Sequence, residues 1–250
     1  MITDPIFYAL ALPAVVLMGF AKGGFAGVGA LSMPLLALTV SPVRAAAILL
    51  PILIVQDVVS VWAFRREWDR RIVAVMLPGA AVGILAGYLL AAQVSAAAVL
   101  GALGAISIVF ALHRLWLMYG GAVQAPANSP PVVGVLFGAI SGFTSQIAHA
   151  GGPPFQMWVL PRGLSPPRLA GTTAVFFAVI NWLKVPAYAA LGQFTPGNLL
   201  TVAALLPVAI ASTFAGVWLV KRIAAERFYV AIYGLMIPVG AYLVWKAFSG

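Results

Sequence analysis

The sequence predicts an all-α polytopic membrane protein made of two inverted-topology repeats, each a re-entrant or broken helical hairpin followed by three spans. Three observations carry that expectation. Of 250 residues, 63% are hydrophobic and only 8% are charged, a composition outside the range of soluble domains. A Ser-Pro-x-Arg pattern recurs in the second half, in register with polar positions inside predicted spans. The basic residues sit in short loops whose sidedness switches between the halves. The formal net charge of +9 is therefore assigned to cytoplasmic loops facing the lipid bilayer, and no nucleic acid partner is expected. There are no cysteines, which excludes disulfides, thiolate metal sites and thiol-based carriers. Met1-Ile2-Thr3-Asp4-Pro5 lacks a basic n-region, so the first apolar run is expected to stay in the mature chain.

Residues 6–21 form the first apolar segment. Lys22-Gly23-Gly24-Phe25-Ala26-Gly27-Val28-Gly29 then breaks it. A lysine at bilayer depth costs roughly 2.5–3.5 kcal/mol on insertion scales, and broken backbone there must be buried in protein or line a cavity. The break is either a tight turn with Lys22 snorkelling to the interface or a binding loop. A short segment runs from about Leu31 to Val40. Ser41-Pro42-Val43-Arg44 opens a span to about Phe64, with Pro42 suited to the first turn. After the loop Arg65-Arg66-Glu67-Trp68-Asp69-Arg70-Arg71, the next span runs from Ile72 to Ala92. Gly79, Gly83 and Gly87 repeat every fourth residue there and predict a close-packing face. Another span runs to about Leu112 and is closed by His113-Arg114. Residues 1–119 form the first repeat, 120–131 a linker rich in Gly, Pro and Ala, and 132–250 the second repeat.

The repeat is read residue by residue. Ser165-Pro166-Pro167-Arg168 matches Ser41-Pro42-Val43-Arg44 at an offset of 124, which also places Asp57 on Asn181 and Ser60 on Lys184. The second break is Ser145-Gln146-Ile147-Ala148-His149-Ala150-Gly151-Gly152-Pro153-Pro154. Pro78 and Gly87 match Pro207 and Gly216 at an offset of 129, implying a five-residue insertion. In half one the loop before the kinked helix carries Arg65, Arg66, Arg70 and Arg71; in half two the loop after it carries Lys221, Arg222 and Arg227. The positive-inside rule then puts the halves in opposite orientations, with both termini outside. Arg114, Arg162 and Arg168 are assigned to the same cytoplasmic side.

Inverted repeats with broken helices mark secondary transporters. Two helices restarting at Ser32 and at Pro153-Pro154 would aim their N-termini at one point and offer an anion site. The expected substrate-binding residues are Lys22, Gly27, Gly29, Ser32, Ser145, Gln146, His149, Gly151, Gly152, Asn181 and Lys184. Asp57, the only acidic residue deep in a span, is the proton-coupling candidate, with structural pairing as the alternative. A structural pair between Asp57 and Lys184 stays open, as does a path lined by Thr172 and Thr173 and gated by Trp182. No metal site and no cofactor is expected.

These glycine-rich breaks each followed by a proline-started helix, the duplicated Ser-Pro-x-Arg and the Pro-Gly-Ala-Ala-x-Gly run from Pro78 to Gly83 resemble the sulfite exporter TauE/SafE family over nearly the whole chain. The resemblance implies a multi-pass permease of the bacterial inner membrane for a small sulfur-containing anion, such as sulfite or the organosulfonate sulfoacetate. Gln146, Ala148 and His149 stand where that family's second loop is richer in glycine. The competing readings are an anion channel, a membrane assembly scaffold and a carrier of another small organic acid. An intramembrane enzyme is not expected, since paired carboxylates and a His-Glu-x-x-His helix are missing from the sequence. The partners expected are a small anionic substrate and lipid; a homodimer stays open.

Overall fold

The computed structural model of the protein describes residues 1–91, 93–120, 129–220, 222 and 226–249, the side chains of 226–228 excepted. Most of the expected linker, together with Ala92, Lys221 and the Arg227 side chain, lies outside the described residues. The described residues are helical, with no strand. In order, the helices are α1 (Pro5–Lys22), α2 (Ser32–Ala37), α3 (Pro42–Ala63), α4 (Arg70–Leu90), α5 (Ala96–Met118), α6 (Pro131–Ala148), α7 (Gly152–Val159), α8 (Pro166–Ala190), α9 (Pro196–Leu219) and α10 (Glu226–Ser249). Short 3₁₀ turns precede α2 (Val28–Leu31) and follow α7 (Leu160–Arg162).

Local chemistry sets most of the boundaries. Pro occupies the first turn of α1, α3, α6, α8 and α9, where no intrahelical N–H bond is lost. Side-chain oxygens of Asp4, Ser41, Asp69, Ser95 and Thr195 accept from the free N–H groups of the turns they precede. Eight helices are long and apolar enough to cross a membrane: α1, α3, α4, α5, α6, α8, α9 and α10. α2 and α7 have 6 and 8 residues, about 9 and 12 Å at 1.5 Å per residue, well short of a ~30 Å core. The first arm of each hairpin is thus 18 residues long and only the returning arm is short. The structure also carries α5 on to Met118, so His113 and Arg114 lie within a helix and do not end it.

The direction of packing is read from the contacts. Gly79 and Gly83 of α4 sit against the Val135 and Ala139 carbonyls of α6, while Gly138 and Gly142 of α6 sit against the Met76 and Ala80 carbonyls. A methyl at any of the four would fall on a carbonyl, so the expected close-packing face is the α4–α6 contact, with the two helices parallel. α1 runs parallel to α9 in the same manner, through Gly19 on Ser212 and Gly23 on Gly216. α5 and α10 are antiparallel, joined by Gly104 and Gly240 backbones and by Arg114 reaching Tyr233. α3 and α8 are antiparallel too. Gly171 at the start of α8 lies on the Phe64 and Glu67 carbonyls past the end of α3, and Asp57 faces Asn181 at the centre.

Candidate functional site

The two breaks meet. Between them lies a cavity of about 80 Å³ bordered by α1, α3, α7 and α8. A water needs about 10–15 Å³ on this measure, so the space suits an ion of a few heavy atoms. Lys22, Gly27, Gly29, Ser145, His149, Gly152 and Asn181 line it, as does Thr173.

Lys22 ends α1 and is buried; it does not snorkel. Its ammonium forms an ion pair with Asp57 and sits 5.3 Å from the Phe177 ring centroid. The other Asp57 oxygen accepts from Asn181 Nδ2 at 2.7 Å. Both oxygens of this carboxylate are thus satisfied inside the protein. Gln56, Asp57 and Ser60 form the buried face of α3, as do Asn181 and Lys184 on α8.

Lys184 does not pair with Asp57. Its Nζ donates to the Ser145 carbonyl at 3.3 Å and to Ser145 Oγ at 3.1 Å, and lies 2.7 Å from His149 Nδ1. His149 Nε2 lies 2.8 Å from the Ala46 carbonyl. A carbonyl only accepts, so Nε2 carries the proton and Nδ1 accepts from the ammonium; the imidazole is neutral in this arrangement. His149 caps α6 in the left-handed region (φ 48°), a conformation rare for a residue with a Cβ. It is held there by the bonds at both ring nitrogens and by stacking on Tyr188 at 5.9 Å.

Several expected residues stand apart from the cavity. Ser32 Oγ donates to the Ala14 carbonyl at 2.7 Å and holds α2 to α1. Gly151 packs on Ser141, whose hydroxyl donates to the Gly151 carbonyl at 2.7 Å. The Gln146 side chain lies against Gly87 and borders a second cavity of about 60 Å³, shared with Ala46, Tyr188 and Gln193. Thr172 bonds the Asp69 N–H, and Trp182 is 60% exposed, turned away from the cavity. The helix restarts also contribute fewer N–H groups than their positions suggest. Pro153 and Pro154 have none, and the restart in the first half is a 3₁₀ turn beginning at Val28, ahead of Ser32.

Gln156 and Phe177 also line the cavity and were not legible in the sequence. Gln156 is 5% exposed, and its Oε1 has no hydrogen-bond partner among the described residues. A Cβ at Gly27 (φ 94°) would lie 2.6 Å from Tyr233 Oη and 3.2 Å from Gln156 Oε1, so glycine is required there on both backbone and steric grounds. Gln156 lies in the same short apolar stretch as Trp158, and a glutamine at bilayer depth is the signal that would have found it.

A larger cavity of about 440 Å³ lies at the loop end of α4, α6 and α7, lined by Asp69, Arg71, Ser129, Trp158 and Arg162 among others. Arg162 stacks on the Trp158 ring at 3.3 Å. Burial, with Arg71 nearby, lowers its guanidinium below the usual arginine range.

No curated protein and no solved structure matches the chain. The family model described as sulfite exporter TauE/SafE matches residues 11–243, nearly the whole chain. The chain therefore belongs to the sulfite exporter TauE/SafE family of membrane transporters.

Proposed function

We propose that the protein is a secondary transporter, working as an exporter, of a small sulfur-containing anion such as sulfite or an organosulfonate, taken up in the cavity between the two broken hairpins. The observation that carries this reading is the buried group of two lysines and one carboxylate around that cavity. Lys22 supplies charge at the wall and Lys184 from behind Ser145 and His149; Ser145, Asn181 and Gln156 supply neutral polar groups, and Gly27, Gly29 and Gly152 let the anion approach the backbone. Because the prolines remove N–H groups, the side chains carry more of the binding than the helix ends do.

In this reading residues 1–119 and 132–250 are two inverted repeats joined by residues 120–131. Its support is that α3 and α8, like α5 and α10, run antiparallel to their counterparts, while α1 packs on α9 as α6 packs on α4. Rocking of one repeat against the other would expose the cavity to each side in turn. Asp57 couples the cycle to protons. When rocking of the repeats separates Lys22 from Asp57 in a later step than anion binding, the carboxylate loses its ion pair, and an unpaired carboxylate at this depth is expensive. Protonation of Asp57 removes that cost. In this reading the protein works in the bacterial inner membrane.

Purified protein in liposomes loaded with sulfite, organosulfonates or carboxylates tests the assignment. Flux of a sulfur oxyanion that depends on the protein and responds to a pH gradient is expected. Flux of carboxylates alone would replace the substrate class, and conductance without saturation would make it a channel.

A further inference from the structure

We propose that the central cavity is built for a single negative charge: it selects monoanionic sulfonates, or sulfite as hydrogensulfite, over dianions of the same shape. This rests on the reading that the cavity is the anion site. Lys22 lines the cavity; the charged side chains directly behind its wall are Asp57, paired with Lys22, and Lys184, behind Ser145 and His149. Asp57 neutralises Lys22 through their ion pair and gives its second oxygen to the neutral Asn181 amide. Lys184 donates only to neutral groups: the Ser145 carbonyl and hydroxyl and the lone pair of His149. The group therefore sums to one positive charge, on Lys184.

A monoanion closes that sum to zero. A dianion leaves one charge uncompensated among apolar helices, where unbalanced charge costs more than in water. Arg114 is half-buried behind Tyr233: its Nε donates to Tyr233 Oη at 3.3 Å and its guanidinium lies 5.6 Å from that ring's centroid, so the phenol stands between it and the cavity.

The remaining polar groups suit an anion with one uncharged corner. Ser145 Oγ already accepts from Lys184, which leaves its own hydrogen to donate into the cavity. Across from it, the unpartnered Gln156 Oε1 is aimed between the breaks. That carbonyl accepts a hydroxyl hydrogen, as on hydrogensulfite, and repels a second anionic oxygen.

Sulfate and methanesulfonate make the test, because they are both tetrahedral and differ by one anionic oxygen against a methyl group. Calorimetry on the purified full chain is expected to show methanesulfonate binding at least about tenfold tighter than sulfate, the ratio expected when one uncompensated charge costs more than a single decade of affinity. Asp57→Asn raises the site to two positive charges and should move the preference toward sulfate. Lys184→Gln lowers it to zero and should weaken both anions. The pair of variants covers the case in which one does not fold. Sulfate binding as tightly as methanesulfonate to the wild type, or preferences unmoved by the folded variant, overturns the charge argument. If neither anion binds, or if Ala30→Phe, which fills the cavity, binds both as the wild type does, the cavity reading itself fails.

Discussion

His149 lines the central cavity, Tyr188 lines the second, and their stacked rings form a partition between the two that Tyr188→Phe should loosen. Tyr188 Oη donates to the Gln146 carbonyl at 2.9 Å. That carbonyl lies in the last turn of α6, where the following N–H groups of His149 and Ala150 bond Ser145 and Thr144 instead. The phenol is thus the donor that satisfies it, and phenylalanine keeps the ring stacked on His149 while removing the donor. A buried acceptor left unpaired costs about 1–3 kcal/mol. The cost falls on the closed arrangement alone if opening lets water reach the carbonyl. At 1 kcal/mol the open fraction rises about fivefold, and at 2 kcal/mol about thirtyfold. The chain has no cysteine, so Thr173→Cys, on the cavity wall, provides a single label site. A membrane-impermeant thiol reagent applied from the face that carries Ala46 and Gln193 should modify it at least about fivefold faster in Tyr188→Phe than in the parent. Equal rates, with both proteins folded, would refute the assignment of Tyr188 and His149 as a partition.

Asp57→Asn should retain transport down an anion gradient but lose acceleration by a proton gradient, measured as pH-jump flux in liposomes; unchanged acceleration would make Asp57 a structural partner of Lys22. Gly83→Val would press on the Ala139 carbonyl and, by the usual cost of overpacking, should destabilise the α4–α6 contact by about 1–3 kcal/mol, read as a lower Tm in detergent. Reporter fusions at the two ends should place both termini outside; a cytoplasmic C-terminus would contradict the inverted arrangement.

Much of the fold was legible because it rests on local signals. Pro at N1, Ser or Asp before it, and a glycine every fourth residue define α3, α4 and their contacts without tertiary knowledge. The polar positions Lys22, Asp57, Asn181 and Lys184 were legible because apolar helices make each one conspicuous. Their pairing was not. In an antiparallel crossing only the residue at the crossing point meets its own repeat-mate; Asp57 sits there and faces Asn181, while Lys184 lies almost a turn further along and is claimed by Ser145 and His149. Trp182 follows Asn181 by one residue, and the 100° step of a helix turns it from the cavity to the surface. Gln156 escaped notice because α7 reads as a short apolar wedge, and Ser32 was misplaced because the restart of the helix lies one turn earlier, in the 3₁₀ segment.

The central claim is that the anion sits between the two hairpin breaks. Selenite, the selenium counterpart of sulfite, allows it to be located directly by anomalous scattering from crystals of the protein. The account predicts one ordered selenium peak between Gly27 and Gly152, within hydrogen-bond reach of the Ser145 hydroxyl. A peak in the Arg71–Arg162 groove instead, or none at saturating selenite, would contradict it.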